Sequence, residues 1–142
     1  MKKNIDSEKI LTKIDELNKY LEELEEIKPN NFEEYCDSIE KKRACERLMQ
    51  ISIETVIDIA NIIVSDLRLG IPEDEDVLFE KLQKQKIISK NMEKVLKKMK
   101  GFRNILVHKY GEVDDELVFE NLDSLEDFTK FIDVIISFIN KK

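Results

Sequence analysis

From Leu48 to Leu69 the chain, wound as a helix, is apolar around nearly its whole circumference. Ile51, Ile53, Val56, Ile57, Ile59, Ala60, Ile62, Ile63, Val64 and Leu67 leave no broad polar face. Such a helix has to be buried on several sides, so the fold must be built around it. In a chain of 142 residues, that surplus also predicts a second copy covering one face. The remaining polar groups are ordered. Arg47, Glu54, Asp58, Asn61 and Ser65 share one stripe. The plain reading is a narrow solvated strip. The sharper reading is a seam facing a cation from another helix, because a sheltered carboxylate needs a partner.

The rest of the chain is also helical in pattern. With only 3 Gly and 2 Pro, it has little material for tight turns. A first helix is predicted from about Ser7 to Ile27, with Ile10, Ile14, Leu17, Leu21 and Leu24 at spacings of three and four. Pro29-Asn30-Asn31 breaks it. A second begins near Phe32 and extends as far as Leu69, charged in its first half. The loop Gly70 to Asp76 leads to a short third helix, about Val77 to Gln85. Ser89 caps a fourth that runs to about His108, with Met92, Val95, Leu96, Met99, Phe102 and Leu106 as its stripe and Gly111 ending it. Asp123 or Ser124 caps a fifth that carries Leu125, Phe128, Phe131, Ile132, Ile135, Ile136 and Ile139. The expectation is an all-α, up-and-down bundle of about five helices, a single domain over residues 1–142 that dimerises through its long helices.

Several function classes are disfavoured. No run approaches the roughly 18 uninterrupted apolar residues of a membrane span, and the polar start Met1-Lys2-Lys3-Asn4 is not a signal peptide. A cytoplasmic protein without a membrane contact is therefore expected. Cys36 and Cys45 lie nine apart in what reads as one helix, so they point apart and read as ordinary thiols. One histidine and no paired-cysteine spacing argue against a zinc site. No cofactor or metal is expected. The net charge of −7 argues against general nucleic-acid binding. Yet residues 81–110 carry +9, with Glu93 the only acid among ten basic residues. A solvated helix face explains most such runs. This one leads into His108, the only histidine, and a polyanion site needs local rather than total positive charge.

On a helix, Tyr110 falls roughly 20° from Arg103, and Asn104 and His108 share the next stripe. Arg103 follows Met99 by four, at the margin of the apolar stripe, so its guanidinium should meet an acid. Glu54 and Asp58 are the candidates. Arg103 offers a forked donor for phosphate, His108 a proton exchanger, Asn104 a group to hold either, and Tyr110 a hydroxyl. RNA supplies its own nucleophile, the 2′-hydroxyl. A symmetric dimer would bring two Arg103 and two His108 to one cleft; otherwise Tyr110 or solvent serves as the second proton carrier. The plainer alternative is a histidine interacting with its helix terminus and an arginine in a structural ion pair.

The motif Arg103-x4-His108-x-Tyr110 resembles the signature of HepT-like toxins of the HEPN superfamily. Glu46 to Glu54, Asp58-Ile59-Ala60-Asn61, Gly70-Ile71-Pro72 with Asp76, and Gly101-Phe102-Arg103-Asn104 resemble further family segments. The resemblance covers about residues 5 to 140. It implies a dimeric helical bundle and a metal-independent endoribonuclease acting on mRNA or tRNA, the toxin of a type VII toxin–antitoxin pair. It implies Arg103 and His108 as catalytic, with Asn104 and Tyr110 in support; Glu54 and Asp58 are the supporting acids that helical spacing offers. Lys97, Lys98, Lys100 and Lys109 are the RNA-binding candidates. It also implies a minimal nucleotidyltransferase antitoxin, MntA-like, that transfers AMP to Tyr110. The competing readings are a non-catalytic nucleotide- or substrate-binding partner of such a nucleotidyltransferase, and a purely structural dimeric helical protein.

Overall fold

The computed structural model describes residues 5–109 and 112–141, and every regular element among them is an α-helix. There are seven, not five: α1 (Ser7–Ile27), α2 (Phe32–Asp37), α3 (Ile39–Asp66), α4 (Glu75–Lys84), α5 (Lys90–His108), α6 (Asp115–Leu122) and α7 (Glu126–Asn140).

Two local effects account for the difference. The expected helix over 32–69 is cut at Ser38, whose extended backbone ends α2 while its hydroxyl accepts from the Lys41 amide (3.2 Å) to cap α3. Cys36 and Cys45 therefore sit on different helices, and neither is in a disulfide. Burial pushes the Cys45 thiol up to about 11, which leaves it inert near neutrality. The second addition is α6. Asp114 caps it, it buries Val118 and Leu122, and its Phe119 ring meets Phe32 and Tyr35 of α2 at 5.6 and 6.1 Å. Asp123 belongs to the end of α6. α7 begins after Leu125 with no side-chain cap, so neither Asp123 nor Ser124 has the capping role expected of it.

The other boundaries follow the sequence closely. Asp6 caps α1, and its backbone N–H also donates to Asp66 Oδ2 at the far end of α3 (2.8 Å). Ser89 caps α5 as expected, accepting from the Met92 amide at 3.0 Å. Gly111 lies outside the described residues; α5 stops at His108, with Lys109 as its C-cap. α3 and α4 both close with a left-handed residue, Arg68 (φ 55°) and Lys86 (φ 59°). Their next amides reach back to Val64 and Leu82, at 3.0 Å in each case.

Helix α3 is the axis of the molecule and packs against α1, α2, α4, α5 and α6. Ile53, Ile59, Ala60 and Ile63 are fully buried, and Ile51 and Ile62 remain half-exposed. The apolar surplus that predicted a second chain is thus largely covered by this chain's own helices. By length and composition α3 would also pass for a membrane span, since a window with few charges suffices. More than half of that window (56%) is buried inside the fold, as expected of a core helix. Ile63→Ala should cost about 2–5 kcal/mol because it opens a cavity on this axis. Urea unfolding measures this, and an unchanged midpoint would contradict the central placement of α3.

A candidate active site at the end of helix α5

The stripe Met92, Leu96, Met99, Phe102 and Leu106 is buried, and α5 lies against α3 and α4. This places Arg103 on the flank where those two helices meet α5. Only 14% of its side-chain surface is exposed. A guanidinium in that position needs partners. Its Nε–H donates to Asn104 Oδ1 at 3.0 Å, and its Nη2 donates to Glu75 Oε1 in a short ion pair. Its Nη1 has a looser neighbour, Glu54 Oε2 at 3.9 Å. Glu54 is itself steadied by the Gln50 amide, which donates to Oε2 at 3.2 Å. Of the three nitrogens, Nη1 is the one without a hydrogen bond to a described residue.

Of the two candidate acids, Glu54 is the one that lies beside Arg103. Asp58, a turn beyond Glu54, is exposed and pairs with Lys13 of α1 at 3.5 Å. The polar stripe of α3 does face cations, but from two helices rather than one. Farther along it, Asn61 and Ser65 line a cavity of about 340 Å³ with Val64, Arg68 and the loop Gly70 to Pro72. The other carboxylate partner, Glu75, comes from the first turn of α4, which Asp74 caps through the Val77 amide.

The lysines divide in the same way. Lys97 bridges Glu80 of α4 and Glu93, at 3.0 Å each, and these carboxylates raise its pKa. Lys100 pairs with Asp76 at 3.0 Å. Both are half-buried and engaged within the protein. Lys98 is exposed on another side of α5, beside a groove lined by Val95, Met99, Phe102 and Leu117. Lys109 is exposed at the helix end. The +9 segment is therefore partly neutralised by acids of α4 and α3.

His108 is the last residue of α5. It is exposed, and its imidazole makes no hydrogen bond or ion pair with any described residue. Tyr110 lies outside the described residues. Among the described residues, no group of three His, Cys, Asp or Glu side chains is placed to hold a metal ion. The arrangement thus offers a fixed, largely buried cation whose Nη1 has no hydrogen bond and, five residues farther along α5, an exposed imidazole. In chemical terms it can stabilise an anionic phosphorus centre and exchange one proton.

A family model described as Ribonuclease HepT-like matches residues 17–135 of the chain. The tRNA nuclease HepT of Aphanizomenon flos-aquae is 28% identical over 137 residues, 96% of this chain and 93% of that protein. The mRNA nuclease HepT of Shewanella oneidensis is 42% identical over 88 residues, 61% of this chain and 66% of that protein. Among solved structures, the tri-AMPylated Shewanella oneidensis HEPN toxin in complex with MNT antitoxin superimposes with a TM-score of 0.83. It is 31% identical, and the match covers 90% of this chain and 96% of that one.

Proposed function

From the premise that this chain belongs to the ribonuclease HepT-like family, we propose that it is a toxin endoribonuclease, cutting mRNA or tRNA in the cytoplasm without a metal ion. The observation that carries this reading is the state of Arg103 and His108. One is locked in place with a nitrogen still available, and the other is exposed and uncommitted on the same helix end.

In the proposed reaction, the RNA 2′-hydroxyl loses its proton to a base and attacks the adjacent phosphorus. The phosphorus–O5′ bond breaks and the leaving oxygen takes a proton from an acid. The products carry a 2′,3′-cyclic phosphate and a 5′-hydroxyl. Arg103 steadies the extra negative charge on the phosphorus oxygens, a role suited to a forked, permanent cation. His108 performs one of the proton transfers. Asn104 accepts from Arg103 Nε and keeps the fork oriented, with Glu54 behind Nη1. Asp58, paired with Lys13, acts on α1 packing rather than on Arg103. Lys98 and Lys109 are the exposed cations for RNA phosphates, while Lys97 and Lys100 hold α4 in register.

The second proton carrier comes from a second copy of the chain, whose His108 faces the same cleft in a symmetric dimer. Purified protein should cut RNA in the presence of EDTA and leave cyclic phosphate ends. Nucleotide binding with no cleavage would instead favour a non-catalytic partner of a nucleotidyltransferase.

Regulation follows the neighbouring AMP-modified toxin in complex with its MNT antitoxin. In our reading a nucleotidyltransferase antitoxin directs the Tyr110 oxygen onto the α-phosphorus of ATP. The α–β bond breaks, pyrophosphate leaves, the tyrosine proton goes to solvent and AMP stays on the ring. The added negative charge beside Arg103 and His108 would compete with RNA phosphate. Co-expression with the cognate antitoxin should raise the intact mass by whole AMP units, and Tyr110→Phe should prevent the rise. A full shift in the phenylalanine variant would place the modification elsewhere.

A further inference from the structure

The sequence pattern did not single out Glu75, and the family motif does not include it. It nevertheless accepts directly from the Arg103 guanidinium. Nη2 of Arg103 donates to Glu75 Oε1, Nε donates to Asn104, and Nη1 is left without a hydrogen bond to a described residue. Two features place Glu75 independently of Arg103. Asp74 caps α4 one residue earlier, through the Val77 amide at 2.8 Å, which fixes the first turn. The ion pairs Lys100–Asp76 and Lys97–Glu80, both at 3.0 Å, then clasp α4 to α5 within that turn and one turn later. Arg103 is 14% exposed and Glu75 33%, so the pair is partly shielded from solvent.

We infer that Glu75 is a positioning residue for RNA cleavage, presented by α4 to hold the Arg103 guanidinium so that Nη1 is left to meet the scissile phosphate. The inference rests on the ribonuclease reading above. Glu75 touches neither substrate nor reacting atoms; it acts through Arg103. It also has a cost, since its carboxylate offsets part of the positive charge that RNA encounters. Geometry and charge can therefore be separated.

The test compares Glu75→Gln with Glu75→Ala in the full-length protein. Both remove the charge, and only the glutamine retains an acceptor for Nη2. Both variants should bind a short single-stranded RNA more tightly than wild type. The slope of log affinity against log salt should steepen in each by up to about 0.7, the value for one phosphate contact on a single strand. Glu75→Gln should keep kcat near wild type. Glu75→Ala should lose about tenfold to a hundredfold in kcat, the scale of an ångström-sized misplacement. Equal kcat in the two variants would overturn the positioning role.

A second readout does not depend on catalysis. The Arg103 side-chain N–H signals in NMR should be resolved and slowly exchanging in wild type and Glu75→Gln, and averaged in Glu75→Ala. Identical spectra in all three would overturn the hold itself. A wild-type protein that cuts no RNA would overturn the ribonuclease reading, and the catalytic consequence with it, while the spectra separately report whether Glu75 fixes Arg103.

Discussion

Replacing His108 with Ala is expected to reduce RNA cleavage by about a hundredfold to ten-thousandfold, the usual range for losing a general acid or base. The fold should be untouched. His108 is exposed on the last turn of α5, and its imidazole makes no hydrogen bond or ion pair with a described residue. Its loss removes no packing and strands no buried partner, so thermal unfolding should stay within the small range of surface substitutions. That separation makes the variant informative, because a drop in rate at constant stability cannot be assigned to misfolding. His108→Gln should be as inactive as Ala, since it restores polarity but no titrating group. Gel-based cleavage assays with variant protein free of contaminating nuclease measure both. Wild-type rates would remove His108 from the mechanism and leave Arg103 serving a binding site only.

How far the site could be read in advance depends on which forces act within one helix. The position of Arg103 at the margin of the α5 stripe follows from its spacing to Met99, and its need for an acid follows from that position. Which acid answers is a question of how α3 and α4 are rotated and shifted against α5. One helix's periodicity carries no such information, so Glu54 and Asp58 are equivalent in the sequence and nothing in it marks Glu75. The charge block shows the same limit. Its +9 over residues 81–110 is real, but Glu75, Asp76 and Glu80 lie just upstream and fold back onto it.

The central role of α3 was legible because an all-round apolar helix has few solutions. The break at Ser38 was not, since charged residues on both sides continue a helical pattern and only the serine hints at a cap. Short α6 was hidden for a related reason. Eight residues hold too few turns to display a period, and its Val118 and Leu122 are buried by neighbours distant in sequence.

Arg103→Ala should have the other large effect, and on two observables. Cleavage should fall by about a hundredfold to a thousandfold, the range for removing one donor to a developing oxyanion. Stability should fall as well, by about 1–2 kcal/mol, because Glu75 and Glu54 lose their shared cation in a partly sheltered site; both are about a third exposed, which limits the cost. Arg103→Lys should recover part of the stability and little of the rate, since an ammonium cannot serve Asn104, Glu75 and a phosphate from one planar fork.

A mixed dimer then tests where the site is built. If two chains form one cleft that draws its base and its acid from two His108 side chains, a mixed dimer of wild type and His108→Ala holds only one of them. Co-expressed with separate tags and purified through both, it should cleave RNA nearly as slowly as the His108→Ala protein. If it keeps about half of the wild-type rate, with both subunits present in equal amounts, the arginine and histidine must act from the same chain. Base and acid would then both have to serve a single chain, with Tyr110 or solvent as the second proton carrier.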